Sequence, residues 1–206
     1  DFKKAEGSRK DVIDFVNNIQ TKVNAQEGNN LKVSDCLPYV DGATPSGSAA
    51  YEKRGIAVNV PKWDATKCVE CGFCSLVCPH AAIRTVALTD DEVAKAPEGL
   101  QTKDVNGVPG YKFSIVISAL DCTGCGSCAN VCLGNKARET LKMGAIAENK
   151  DEQKYFDYAV TLPEKTDVVE KLKATTIRGS QFKQPLLEFS GACAGCGETP
   201  YVKLVT

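Results

Sequence analysis

The sequence predicts an α+β fold in which one strand–loop–helix–strand unit occurs twice, related by a pseudo-two-fold axis. The first observation behind this prediction is a cysteine spacing, C-x2-C-x2-C-x3-C, that occurs twice within the 206 residues. The second is that a strand-like segment stands before and after each cysteine run. We predict these four strands at residues 56–60, 83–88, 111–117 and 141–143.

The repeated cysteine spacing indicates iron–sulfur chemistry. Three thiolates on a tight loop can each reach a different iron of one cubane, while the fourth, on the following helix, points away and serves the other cluster. One [4Fe–4S] centre would then be held by Cys68, Cys71, Cys74 and Cys132, and the other by Cys122, Cys125, Cys128 and Cys78. The predicted fold is therefore a bacterial-type two-[4Fe–4S] ferredoxin-like domain with flanking helical and linker segments.

Other cysteine chemistries fit this spacing less well. Structural zinc uses two separated C-x2-C hairpins and has no use for a third cysteine three residues on. Disulfides need an oxidising compartment, whereas this sequence has eleven cysteines and no signal-peptide pattern. A Rieske centre needs two histidines on one iron, and His80 is the only histidine. We expect His80 to be solvated or packed behind a cluster ligand.

Composition limits the partners. A net charge of −1 shows no basic excess for nucleic acid or an anionic membrane. No apolar run approaches the roughly 20 residues that a membrane-spanning helix needs. The cysteine density favours a reduced, cytoplasmic location such as the interior of an anaerobe. We expect neither nucleic acid nor membrane as a partner, and we expect the clusters to stabilise a modest core.

Residues 1–35 are predicted to be the helical tail of a preceding domain, and 36–54 a linker. Ser8 would cap the helix with Asp11 reaching back, and Val12 and Val16 would lie on its buried face. Cys36 has no partner at ligand spacing and is interpreted as an unliganded thiol.

Residues 55–145 hold the two cluster loops, and their insertion contains a predicted helix at 90–96, where Thr89 and Glu92 have capping-box spacing. Residues 146–190 are predicted to be a solvated linker with a strand at 155–162 and a helix at 168–173. Residues 191–206 contain a third C-x2-C, Cys193 and Cys196, followed by a helix with Thr199 as its N-cap and Pro200 in its first turn.

Five motifs, in order along nearly the whole chain, resemble those of the pyruvate:ferredoxin (flavodoxin) oxidoreductases. They are Tyr51-Glu52-Lys53-Arg54-Gly55, Val60-Pro61-Lys62-Trp63, Cys78-Pro79-His80-Ala81-Ala82-Ile83, Gly179-Ser180-Gln181-Phe182 and Gly191-Ala192-Cys193-Ala194-Gly195-Cys196-Gly197-Glu198-Thr199-Pro200-Tyr201-Val202. The chain departs from the usual pattern at Leu133, where a proline commonly follows the fourth cysteine.

The resemblance implies a place in an electron relay. In that family pyruvate is decarboxylated on thiamine diphosphate with magnesium, coenzyme A receives the acetyl group, and electrons leave through three [4Fe–4S] clusters to ferredoxin or flavodoxin. Cys193 and Cys196 would be two ligands of the third cluster, and Glu198 would contact the thiamine cofactor. The chain would be one segment of such an enzyme, itself a homodimer, with 191–206 opening the thiamine-diphosphate domain.

Two further hypotheses stay open at this point. A free-standing ferredoxin-type carrier, or the electron-transfer part of another 2-oxoacid oxidoreductase, would use the same two cluster loops. A zinc-stabilised interaction module would have cysteines but no visible absorption.

Overall fold

The computed structural model describes residues 4–134, 139–192 and 196–206. The chain divides into two compact units, Asp1–Arg54 and Gly55–Thr206. Across the described ranges, no helix is both long and apolar enough to cross a membrane.

The first unit is helical. Its main helix runs through α1 (Lys10–Phe15), a π-helical segment (Val16–Gln20) and α2 (Thr21–Asn24). The predicted Ser8 cap is wrong, because the N-cap residue is Arg9 and no side chain caps the helix. Asp11 pairs with the Arg9 guanidinium at 2.5 Å.

The first unit also contains short 3-10 turns. They span Gly28–Asn30, Val33–Tyr39 and Ser48–Tyr51. Its small core includes Val12 and Val16, as the helical periodicity predicted. Cys36 is exposed, in the middle of the second turn.

The second unit has mixed helix and strand content, in agreement with the predicted α+β class. Its strands are β1 (Asn59–Trp63), β2 (Ile83–Leu88), β3 (Lys103–Asp104), β4 (Lys112–Ile117) and β5 (Leu141–Ala145). All pairs are antiparallel: β1 with β5, and β4 with both β2 and β3. The first strand begins three residues later than predicted, at Asn59 rather than Ile56.

The second unit also contains short helices, two of which follow the cluster loops. They are α3 (Phe73–Leu76), α4 (Asp90–Lys95), α5 (Ser127–Val131), α6 (Glu152–Ala159), α7 (Thr166–Leu172), α8 (Ile177–Ser180) and α9 (Thr199–Val205). The capping box predicted for α4 is confirmed: the Thr89 N–H donates to the Glu92 carboxylate, and the Glu92 N–H donates to the Thr89 hydroxyl.

The strand predicted at 155–162 is wrong, since α6 occupies most of that segment. Tyr155, Phe156 and Tyr158 have high β propensity, but packing decides the outcome. Phe156 and Ala159, three residues apart, are buried together with Val116 of β4. Residues 146–190 therefore differ from the solvated linker predicted for them, because α6 and α7 contribute buried side chains to the second unit.

The core next to the first cluster loop is aromatic. Phe113 is fully buried, and its ring meets the rings of Trp63 and Phe182 edge to face at centroid distances of 5.7 and 6.0 Å. Burying a side chain of this size stabilises the fold by about 1.5–3 kcal/mol. These ring contacts pack the end of β1, just before the first cysteine, against the sheet that contains Phe113.

Candidate metal centre

The first cysteine loop is shaped by left-handed backbone. Glu70 and Gly72 have φ values of +57° and +78°, and they turn the chain from Cys68 into α3. A side chain at Gly72 would be strained, and its Cβ would lie only 3.3 Å from Gln181. The backbone of Ile177 and Arg178 lies 3.4 Å from the same point, so the start of α8 and the Gln181 side chain of the Gly179-to-Phe182 motif pack against the cluster loop.

The second cysteine loop repeats this conformation. Gly124 and Gly126 stand at the same spacing, with φ values of +72° and +76°, and lead into α5. A Cβ at Gly124 would lie 3.0 Å from the Asn59 carbonyl oxygen, so the loop lies directly against β1.

Matching backbone donors point at sulfur in the two loops. The Glu70 N–H donates to Cys68 Sγ, and the Gly124 N–H donates to Cys122 Sγ, each at 3.4 Å. The Ala82 N–H donates to Cys78 Sγ at 3.3 Å. Such donors favour the thiolate, which is the form that binds metal.

One cavity brings together cysteines that are distant in sequence. It encloses about 400 Å³, including space open to solvent. Four of its lining residues are Cys78, Cys122, Cys125 and Cys128. The fourth cysteine of the first run therefore lies with the first three cysteines of the second run.

Electrostatic interactions among the thiols have the same pattern. Burial raises the pKa of Cys128 to about 12, and among the thiols that add to this rise Cys78 has the largest effect. Burial raises the pKa of Cys122 to about 11; the Gly124 N–H opposes this rise and Cys78 adds to it. Burial also raises the pKa of Cys74, and the thiols that add to this rise are Cys68 and Cys71 of its own loop and Cys128 and Cys132 of the second run. Cys132 is buried in the same side-chain cluster as Cys74, and so is Cys128.

Trp63 and Lys103 contribute to the environment of Cys68. Burial raises the pKa of the Cys68 thiol, while the Glu70 N–H, the Trp63 indole and the Lys103 charge lower it. The Trp63 Nε1 nevertheless makes no hydrogen bond to any described residue. Lys103 Nζ also donates to the Cys68 carbonyl oxygen at 2.8 Å.

Glu70 lies beside the first cluster loop's cysteines, and no local sequence pattern marks it. Its carboxylate is 3% exposed, and it accepts hydrogen bonds from Arg178 at 2.5 Å and from the Asn106 N–H at 3.0 Å. Lys103 lies 3.3 Å from its other oxygen. These contacts connect the loop to the residues that bind Glu70. Removing the cations would destabilise the fold, because an uncompensated charge would remain buried.

His80 is not solvated, as one alternative for it predicted, but buried with 6% of its surface exposed. It lines the same cavity as Cys78 and Cys122. His80, two residues after Cys78, thus forms part of the wall of that cavity.

The C-terminal motif is described only in part. Cys193 lies outside the described residues, whereas Cys196 is half-buried and Glu198 is exposed. The N-cap of α9 is Glu198 rather than the predicted Thr199, which begins the helix itself, and Pro200 lies in its first turn as predicted. The backbone N–H of Glu198 and the Thr199 side chain lower the pKa of Cys196, which favours a thiolate there.

Lys203 joins α9 to the first cluster loop. Its Nζ donates to the Cys78 carbonyl oxygen at 2.6 Å and to the Ser75 carbonyl oxygen at 3.1 Å. Burial lowers the pKa of Lys203.

The donor set fits two iron–sulfur clusters. Each loop contributes thiols and backbone N–H groups aimed at sulfur. The first run also has the Lys103 charge near Cys68, which offsets thiolate charge. Within the described ranges, no three histidine, cysteine or acidic side chains converge on a point where a single ion could bind. A four-iron cluster is larger than an ion, and its thiolates do not need to converge on one point.

Comparisons with known proteins agree with this geometry. A family model described as a 4Fe-4S dicluster domain matches residues 67–136, the stretch that contains both cysteine runs. The chain is similar to a segment of the pyruvate:ferredoxin (flavodoxin) oxidoreductases. The pyruvate:ferredoxin oxidoreductase of Moorella thermoacetica is 50% identical over 94% of this chain, and the pyruvate-flavodoxin oxidoreductase of Enterobacter agglomerans is 46% identical over 97% of it.

The matched segment is a small part of these oxidoreductases. The chain spans 16% of the length of both relatives. It spans 10% of the pyruvate dehydrogenase [NADP(+)] of Cryptosporidium parvum, to which it is 46% identical over 95% of its own length. A second family model, described as a domain of unknown function, matches residues 1–57. The resemblance drawn from the five motifs is confirmed.

Proposed function

We propose that this chain carries electrons through two [4Fe–4S] centres within a pyruvate:ferredoxin (flavodoxin) oxidoreductase. The observation that carries the proposal is the cavity that Cys78 shares with Cys122, Cys125 and Cys128. An exchanged fourth ligand is the arrangement expected of a two-cluster ferredoxin-like domain. The dicluster family match over 67–136 supports the same assignment.

The proposed ligands are two sets of four cysteines. The first set is Cys68, Cys71, Cys74 and Cys132, and the second is Cys122, Cys125, Cys128 and Cys78. We also propose that a pseudo-two-fold axis relates the sets, because the two loops share their left-handed positions and their N–H to sulfur contacts. Exchanging the two halves would also map the β1–β5 pair onto the β4–β2 pair.

When bound, each centre supplies a site that accepts and releases one electron at a time. The protein's own residues control the conditions of that step. The Glu70 and Gly124 N–H groups stabilise negative charge on the coordinating sulfurs. Apolar walls such as Ile117 limit the access of water to the second-loop cavity.

The parent reaction is proposed from the relatives and from the resemblance. The relatives' names specify pyruvate, and some of them specify ferredoxin or flavodoxin. In the parent enzyme, thiamine diphosphate with magnesium and coenzyme A would take part, Cys193 and Cys196 would help to hold a third [4Fe–4S] cluster, and Glu198 would contact the thiamine cofactor. We propose a cytoplasmic, homodimeric parent whose other domains are the immediate partners of this chain.

The first test is the iron content of the 206-residue chain. Two complete sets of four cysteines should hold about eight irons and about eight sulfides after anaerobic reconstitution. Cys193 and Cys196 supply half a set, so iron bound there should be absent or lost on gel filtration. Stable binding of about twelve irons would contradict the assignment, as would a colourless protein that binds zinc with the same cysteines.

The second test asks whether this chain only carries electrons or also decarboxylates pyruvate. The 206-residue chain, supplied with pyruvate, thiamine diphosphate, magnesium and coenzyme A, should release no CO₂. Its one motif expected to face that cofactor offers the exposed Glu198 and no complete diphosphate-and-metal site. The loaded chain should still pass electrons from dithionite to ferredoxin. Release of ¹⁴CO₂ from labelled pyruvate would show that the chain itself performs the decarboxylation.

A further inference from the structure

Trp63 carries a buried hydrogen-bond donor that no described residue satisfies. The side chain is 3% exposed at the end of β1, and its Nε1 has no partner among the described residues. A buried donor left unpaired costs about 1–3 kcal/mol, so native proteins rarely retain one without an acceptor. An acceptor for this N–H is therefore expected.

The surroundings of the indole identify that acceptor. Trp63 lies against the Cys68 thiol, five residues further along the chain. It belongs to the buried cluster that contains Cys74 and Cys132 and, from the other set, Cys128. Three of the four proposed ligands of one centre thus lie in the region that the indole borders.

The equivalent position in the second loop carries no donor. Ile117 stands five residues before Cys122, as Trp63 stands five before Cys68. Ile117 is fully buried and lines the cavity with Cys78 and Cys122. Because the backbone donors of the two loops match, the indole N–H is a clear difference between the two environments.

We propose that the Trp63 indole N–H donates a hydrogen bond to a sulfur of the centre held by Cys68, Cys71, Cys74 and Cys132, and raises its reduction potential. The inference rests on the proposed function, because it requires that centre to form. Reduction adds negative charge to the sulfurs, so a donor stabilises the reduced state more than the oxidised state. Trp63 is thus a positioning and tuning residue rather than a ligand.

The direct test uses the fact that Trp63 is the only tryptophan in the chain. The chain is produced with ¹⁵N in the indole ring, loaded with iron and sulfide, and reduced. Electron–nuclear double resonance should detect a ¹⁵N coupling and an exchangeable proton on one of the two centres. Replacing tryptophan with benzothienylalanine, which has sulfur in place of N–H and nearly the same shape, should remove both signals.

The same isosteric replacement tests the effect on potential, with Trp63→Phe as a second variant. In a reductive titration followed by paramagnetic resonance, the first-loop centre should become harder to reduce. At a fixed potential its reduced-to-oxidised ratio should fall by up to about tenfold, which is about 59 mV for one electron. The second-loop centre serves as the internal control and should not shift.

The outcomes separate this inference from the proposed function. If the chain binds about eight irons but neither centre couples to the indole nitrogen, the hydrogen bond is disproved. Unchanged potentials in both variants would also overturn it. If the unsubstituted chain forms no clusters at all, the proposed function itself fails.

Discussion

Replacing Cys78 with alanine is expected to abolish the centre held by Cys122, Cys125 and Cys128. The centre beside Cys78 in sequence should keep its four ligands. The reason is geometric, because Cys78 lines the second-loop cavity together with Cys122, Cys125 and Cys128. In reduced samples the paramagnetic resonance signal should fall from two interacting centres to one isolated centre, and iron should fall by about half.

The reciprocal variant, Cys132→Ala, should remove the centre at Cys68, Cys71 and Cys74 and spare the other. Cys36→Ser is the matched control, since Cys36 is exposed and belongs to neither set. It should change neither iron content nor spectrum. Loss confined to the first-loop centre in Cys78→Ala would refute the exchanged arrangement.

The cysteine spacing was enough to predict much of this site because it is a local pattern with a strict geometric requirement. Ligands three residues apart on a tight loop can reach one cluster, and the fourth cannot. The spacing predicted that Cys78 lies with the cysteines of the second run, and the structure places it in their cavity. Cys132 is buried with Cys74 and also with Cys128, so its assignment to the first-loop centre stays a prediction.

Features that depend on distant contacts were not predictable from local patterns. The environment of Glu70 depends on Arg178, more than a hundred residues away, and nothing at either position marks the pair. The α6 segment has aromatic residues typical of strands, but Phe156 and Ala159 bury one helical face against the sheet. The expected Ser8 cap is absent because the helix begins one residue later than predicted, with Arg9 as its N-cap.

Removing the clusters should unfold the region around both loops. Helices α3 and α5 have only four and five residues, far too short to be stable alone. Burial raises the pKa of Cys74 and Cys128, so without metal these thiols are neutral at pH 7 and hold no charge-assisted contact. Cluster binding is coupled to folding. Removing the clusters should therefore lower the free energy of unfolding by more than the roughly 5 kcal/mol that a marginally stable domain has.

Anaerobic chelation with an iron chelator and mild oxidant, followed by hydrogen exchange and circular dichroism, measures this loss. Amides of residues 68–78 and 122–132 should lose protection, and the cooperative thermal transition of the second unit should disappear. The Cys36→Ser chain, taken through the same steps without chelator, shows any change that handling alone causes. Iron and sulfide added back should restore the transition, because the ligand sets assemble only around the clusters. Equal protection before and after chelation, or full recovery with zinc alone, would show that the fold does not depend on them.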